Sequence, residues 1–337
     1  MNWLFAPNSQ RVRNCTLLLC ASAAVSAGAQ SSAGVQSSGG KAGDPPAWAY
    51  IVPPADAQPI AHAATPRRVP DSPAVLTWKQ VTDPFSAPDW HPQDHPKIPA
   101  IVAHGRKPDV LACGYCHRAD GPGGPENASL AGLPYDYILE QMAEFKSGQR
   151  STALPKRLPQ ANMIALAKAT TDQEIQAAAK YFSSLKLRQN IRVVETSRVP
   201  KTSVAGWVLA PKEGKVREEL GRRILEMPEN LEHFESRDSH ATFVAYVPVG
   251  SLHEGAAIVH GDRVGPPCAN CHGKDLRGRE LAPSIAGRSP SYIYRQLYDI
   301  QTGVRTGSGV KLMKVSTARL SPDEMLEVAA YLASLKP

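Results

Sequence analysis

Residues 113–117 read Cys-Gly-Tyr-Cys-His, and residues 268–272 read Cys-Ala-Asn-Cys-His, 155 positions further on. Cys-x-x-Cys-His is the spacing at which haem c is attached to a chain. Two thiols a short turn apart can each add to one vinyl group of the same porphyrin, and the adjacent His then sits beneath the ring to ligate iron. Six Cys and ten His in 337 residues would produce only about 0.003 copies of this pattern by chance, so two copies point to two covalently bound haems. The competing chemistries need more than is present. Cys-x-x-Cys with His is also a zinc-ligand set, but zinc ribbons place a second Cys pair about 15–20 residues on, and each half of this chain has only one pair. A thioredoxin-like redox pair would need a βαβ pattern around it, which the flanking residues lack.

The amino terminus indicates the compartment. Arg11 and Arg13 precede the apolar run Cys15–Val25, and Ala27-Gly28-Ala29 offers a small-residue cleavage site. This is the layout of a secretory signal over residues 1–29, which predicts a periplasmic protein cut near Ala29. An uncleaved amino-terminal anchor is the alternative. A lipid anchor at Cys20 is disfavoured by bulky Leu19 before it. Cleavage would remove Cys15 and Cys20, leaving four cysteines that the two motifs use completely. No thiol would remain for a disulfide, a catalytic thiolate or a cysteine iron ligand. The same cut takes Arg11 and Arg13 from 38 basic residues, leaving 36 against 31 acidic ones, a net charge of +5. A modest basic excess can steer acidic partners. No Lys/Arg block suggests nucleic acid.

Working outward, residues 30–46 are Ser-, Gly- and Ala-rich and read as a linker. Residues 47–97 are dense in Pro, which disfavours helices and central strands. They read as an extended arm whose Trp48, Trp78 and Trp90 pack onto a globular body, with His62, His91 and His95 as surface or capping residues. An internal repeat then emerges at the offset of the two motifs. Ala131-Gly132 falls on Ala286-Gly287, Tyr137-Ile138 on Tyr292-Ile293, Gln141 on Gln296, Gly148 on Gly303 and Arg150 on Arg305. After a loop five residues shorter in the second copy, Tyr181 falls on Tyr331 and Leu185 on Leu335. The expected division is therefore 30–97 linker and arm, 98–188 first haem domain, 189–250 insert and 251–337 second haem domain.

Both copies read as helical. Apolar residues from Tyr137 to Phe145 and from Tyr292 to Ile300 recur at helical spacing, with Gly148 and Gly303 placed to end those helices. Thr171-x-x-Glu174 and Ser321-x-x-Glu324 are capping boxes, the second with Pro322 at the first helical position. In the insert, Asn190–Val199 and Thr242–Val249 carry β-type residues, while Arg217–Leu225 reads as helical. The fold class is all-α, with two tandem haem domains, a Pro-rich arm and a mixed central insert.

A simple carrier needs a sixth iron ligand. Met142 and Met325 fall within amphipathic helices opposite Leu297 and Ile175 of the other copy, which suits a core role, and Met227 falls in the insert. Met163 and Met313 remain, each in the irregular stretch between the two helices of its copy. A thioether there would raise the reduction potential and fill the coordination sphere. The alternatives are core filling by either Met, or bis-His ligation by one of the eight other histidines.

At this point the chain resembles the tandem dihaem class I cytochromes c of bacterial periplasms. The residues that carry the resemblance are the two Cys-x-x-Cys-His motifs, Pro283–Gly287, Phe145–Arg150, Ile300–Arg305, Met163 and Met313. It covers roughly half of the chain. It implies a small helical fold around each haem, thioethers at Cys113, Cys116, Cys268 and Cys271, and axial ligands His117, Met163, His272 and Met313. Ala128 stands where members of the family usually have Pro, and it still offers the carbonyl that would hold the haem His. Arg150 and Arg305 are expected either near haem propionates or on the surface after a helix end.

The function expected is electron transfer between redox proteins, with a dehydrogenase, a cytochrome complex or a terminal oxidase as donor or acceptor. Membrane association could come from an uncleaved signal or from a partner complex. The alternative is a dihaem enzyme, a peroxidase or a sulfur-compound oxidase, with one open or bis-His haem.

Overall fold

The computed structural model describes residues 44–55, 66–155, 157–214, 216–261 and 264–337. The export signal expected over 1–29, most of the linker, and His62 lie outside the described residues. The arm contributes helix α1 (Trp78–Val81) and one 3-10 turn, Pro92–Asp94. The first copy follows with α2 (Ala100–Ala103), α3 (Cys113–His117), α4 (Tyr135–Ser147), α5 (Leu158–Ala169) and α6 (Asp172–Ser184).

The insert is β1 (Ile191–Glu195), β2 (Arg198–Pro200), β3 (Thr202–Ala205), β4 (Val208–Pro211), β5 (Arg217–Glu219), β6 (Leu225–Pro228), α7 (Leu231–Glu235) and β7 (Phe243–Val247). The second copy is α8 (Ser251–His260), α9 (Cys268–His272), α10 (Pro290–Gln301), α11 (Val310–Thr317) and α12 (Pro322–Ser334). The copies are helical, and the sheet is confined to the insert. No described helix is long and apolar enough to cross a membrane.

Local chemistry explains the helix ends. Gly148 closes α4 in the left-handed conformation, φ 81°, with its N–H on the Phe145 carbonyl, and Gly303 is left-handed after α10. Glycine takes such angles without a Cβ penalty. Both expected capping boxes form: Thr171 with Glu174 opens α6, and Ser321 with Glu324 opens α12 behind Pro322. Ile175, Ala179 and Phe182 of α6 are buried, as are Met325, Val328, Ala329 and Leu332 of α12. Helices α8 and α12 cross closely, because a Cβ on Gly255 would lie 2.1 Å from the Glu327 carbonyl oxygen.

Three expectations are corrected. Arg217–Leu225 is not helical: Arg217–Glu219 pairs antiparallel with Arg198–Pro200, and left-handed Gly221 breaks any helix before β6. Met163 and Met313 do not lie in irregular stretches, since each copy has a third helix there, α5 and α11. His91 is not a surface residue. It starts the 3-10 turn without a side-chain cap bond, and only 1 % of it is exposed.

The insert's main sheet has the order β1-β7-β6, with Ile191 opposite Phe243 in parallel register and Leu225 opposite Tyr246 in antiparallel register. Arm, insert and second copy share one core, in which Ala49, Tyr50, Ile191, Phe243 and Ala245 meet Met325, Val328 and Leu332. The first copy has its own core around Val102, Ile138, Ala179 and Phe182. Trp90 of the arm is buried and donates from Nε1 to the Ser236 carbonyl of the insert at 2.8 Å. Arm and insert are thereby fastened over the first copy.

Candidate functional site

The two Cys-x-x-Cys-His segments form the single-turn helices α3 and α9. Residues three apart share a helix face, so Cys113 with Cys116, and Cys268 with Cys271, stand on the same side of their turns. Burial pushes the Cys113 thiol up to about 12 and the Cys268 thiol up to about 11. Thiols so desolvated resist ionisation. Among the described residues, the one group that meets metal-ligand spacing is His91, Asp94 and His240, none of which belongs to either motif.

Each motif histidine is fixed through its far nitrogen. His117 Nδ1 donates to the Ala128 carbonyl at 2.7 Å, and His272 Nδ1 donates to the Pro283 carbonyl at 2.8 Å. The bond places the proton on Nδ1 and leaves the Nε2 lone pair free. Desolvation also drives the His117 pKa down to about 4 and lowers that of His272. Both rings are therefore neutral near pH 7, the form that ligates a metal. Ala128 performs the same backbone service as its counterpart Pro283.

In the second copy, His272 Nε2 and Met313 Sδ face each other at 3.4 Å. In the first copy, Met163 is half-buried on α5 and lines the same cavity as His117. Met142 reaches that cavity too, whereas Met325 is wholly buried in the core and Met227 lies in β6. The cavity is continuous between the copies, with a volume of about 480 Å³. Its walls are apolar on either side, with Leu130, Ile138 and Phe145 in the first copy and Ile285, Ile293 and Leu297 in the second.

Polar groups concentrate where the copies meet. Arg150 donates to Gln141 Oε1 at 2.7 Å in its own copy and crosses to the Tyr292 hydroxyl at 2.7 Å. Arg305 mirrors it, donating to Gln296 Oε1 at 2.8 Å and crossing to Gln141 Oε1 at 2.9 Å. Neither arginine is a surface residue. Buried Arg157, Arg288 and Arg295 join them along the cavity. Desolvation lowers the Arg157 pKa to about 9, and its Nε, like that of Arg305, is buried without a hydrogen-bond partner. Orphaned guanidinium donors along a cavity wall call for an anionic group.

Haem offers what these residues ask for: an apolar macrocycle between His and Met, with carboxylates at one edge. The side chains fit the group. The sequence pointed to Tyr137, Tyr292, Gln141 and Gln296 only as repeated positions, and to Arg150 and Arg305 as residues near haem propionates or on the surface. Repeated polar residues on otherwise apolar helix faces were the signal of a shared interface. Arg157, Arg288 and Arg295 have no such signal.

The sequence model for cytochrome c matches this chain twice, over residues 103–186 and 254–336. Cytochrome c-554(548) of Halomonas halodenitrificans is 31% identical over 81 residues, which span 96% of that protein and 24% of this chain. The chain belongs to the cytochrome c family. It is a tandem class I cytochrome with two covalently bound haem c groups, one for each match. Its similarity to cytochrome c4 of Pseudomonas aeruginosa is 24% over 233 residues, covering 67% of this chain and 85% of that protein. A thiosulfate dehydrogenase electron acceptor of Thiomonas intermedia is 27% identical over 230 residues, covering 67% of this chain and 80% of that protein. This cytochrome transfers electrons, as its relatives' names imply of them.

Proposed function

We propose that Cys113 and Cys116 bind the first haem through thioethers, with His117 and Met163 as its axial pair. Cys268 and Cys271 bind the second, with His272 and Met313 as axial ligands. The facing of His272 Nε2 and Met313 Sδ carries this reading; at 3.4 Å the two atoms touch, and they must part to admit iron between them. The haem supplies the one-electron chemistry. The chain supplies the rest. Ala128 and Pro283 hold the histidine rings in one orientation, and the apolar walls exclude water. The buried arginines balance carboxylates at the junction of the copies. A thioether on the distal side also closes iron to oxygen and peroxide, which favours a carrier over an enzyme.

The haem domains of the proposal are residues 98–188 and 251–337, flanking an insert at 189–250 and preceded by an export signal, linker and arm over 1–97. The signal-like segment at 1–29 and the likeness to cytochrome c4 support a periplasmic location. The likeness to a thiosulfate dehydrogenase electron acceptor supports a dehydrogenase as donor, with a cytochrome complex or terminal oxidase as acceptor. The test is the ferric spectrum of the holoprotein. His/Met ligation at both haems gives a far-red sulfur-to-iron band, and Met163→Ala and Met313→Ala each remove about half of it. A missing band, or a high-spin haem that reacts with peroxide in the unaltered protein, overturns the reading.

A further inference from the structure

The two copies differ in how their Cys-x-x-Cys-His loops meet solvent. In the first copy every residue from Ala112 to Leu130 is buried or half-buried. The cover comes from the arm and the insert. Tyr115 donates its hydroxyl to the Thr82 carbonyl, and Ala112 N–H donates to the Pro84 carbonyl. A Cβ on Gly114 would lie 2.8 Å from Ala87 Cβ. From the insert, Arg237 lies 3.6 Å over the Tyr115 ring and donates to the Tyr115 carbonyl, while Arg118 lies over Phe234.

The matching loop of the second copy is open. Among the described residues, Asn270, Cys271, Lys274, Asp275, Arg277, Arg279, Glu280 and Leu281 are exposed. Leu281 is 58% exposed and Leu312 73%, and both line the cavity beside Cys271, His272 and Met313. Val315, 61% exposed, lies one turn along α11 from Leu312. Large apolar side chains grouped and exposed in this way mark interaction sites. On the same loop and the same helix α11, Lys274, Arg277, Arg279, Lys311 and Lys314 are exposed, against Asp275 and Glu280, and Glu280 lies 3.6 Å from Arg279.

We infer that the second copy is the port of this cytochrome, and that the protein docking there presents an acidic rim around an apolar centre. This rests on the two-haem reading above and adds which haem meets the partner. The first haem, walled in by arm and insert, exchanges electrons through the second. Charge complementarity of this kind acts mainly on the rate of encounter.

The test uses the full holoprotein, first checked for two haems per chain and for unchanged spectra and potentials, so that failure of the haem reading shows separately. Its electron exchange with reduced flavodoxin, an acidic one-electron donor, is followed by stopped flow as a function of salt. The combined variant Lys274→Glu, Arg277→Glu, Lys311→Glu is compared with Lys168→Glu, Lys180→Glu, Lys186→Glu on the exposed surface of the first copy. The port reading requires the first variant to slow bimolecular reduction roughly ten-fold at low salt and to flatten its salt dependence, with the second variant near the unaltered rate. Equal slowing in both sets, a larger effect in the first copy, or no effect in either overturns it.

Discussion

Arg150 and Arg305 pair backbone to backbone in an isolated antiparallel bridge, and each guanidinium reaches into the other copy. Ser151 N–H donates to the Val304 carbonyl, and Thr306 N–H donates to the Gln149 carbonyl, so the strands around them exchange bonds reciprocally. The junction of the two haem sites is thus a nearly symmetric polar seam in an otherwise apolar cavity.

Replacing Arg305 with Met keeps volume but removes a buried cation and its bonds to both glutamines. Breaking one member of a buried charged network costs about 3–5 kcal/mol. Losing positive charge beside both proposed haems also favours their oxidised forms. The expected outcome is a lower melting temperature together with a fall in both reduction potentials, read by spectroelectrochemical titration.

Arg118 and Gly273 occupy equivalent positions with φ of 70° and 84° and extended ψ, a region that suits glycine alone. Such a residue stores about 1–3 kcal/mol, held in Arg118 by Glu126 at 3.6 Å and by the Phe234 ring. Arg118→Ala keeps the strain and takes the cation from Glu126, which retains the bond from Asn127 Nδ2. Arg118→Gly takes the same cation but releases the strain. Thermal denaturation should rank the unaltered protein first, Arg118→Gly second and Arg118→Ala last.

Trp90→Ala removes the buried ring that pins the arm to the insert. A substitution of this size costs about 3–5 kcal/mol, and the arm's own small core of Val69, Val81 and Trp90 opens with it. Limited proteolysis should then cut within residues 66–97 at protease levels that leave the unaltered protein intact.

Glu174 accepts from Arg106, and closes the α6 capping box with Thr171; these bonds hold its pKa down to about 2, below the ordinary value of 4.5. The unfolded chain takes up this proton at higher pH than the folded one. The stabilisation is complete above about pH 4.5 and is lost as pH falls towards 2. Glu174→Gln should therefore lower the melting temperature at pH 7 and make little difference near pH 2.

Much of this was legible in the chain. Two Cys-x-x-Cys-His motifs and a fixed offset implied paired helical units, and the capping boxes at Thr171 and Ser321 marked their last helices. Two features were hidden for physical reasons. Residues 158–169 have apolar positions without a strong stripe, and residues 310–317 form a helix of only 8 residues, short for a pattern to register, so α5 and α11 passed for loops. Arg217–Leu225 has helix-favouring residues, and pairing with β2 overrode their local preference. Nor could sequence show that Arg157, Arg288 and Arg295 would be buried together, since their contacts lie far along the chain. Arg288 alone reaches Ser129 and Ala131 from the second copy.

The most direct measurement of the central claim is covalent haem per chain after denaturation, for the unaltered protein and two double variants. The account requires two haems that stay with the unfolded chain, and one each for Cys113→Ser/Cys116→Ser and Cys268→Ser/Cys271→Ser. Haem that washes out on unfolding, or a count of two that survives either double substitution, would contradict it.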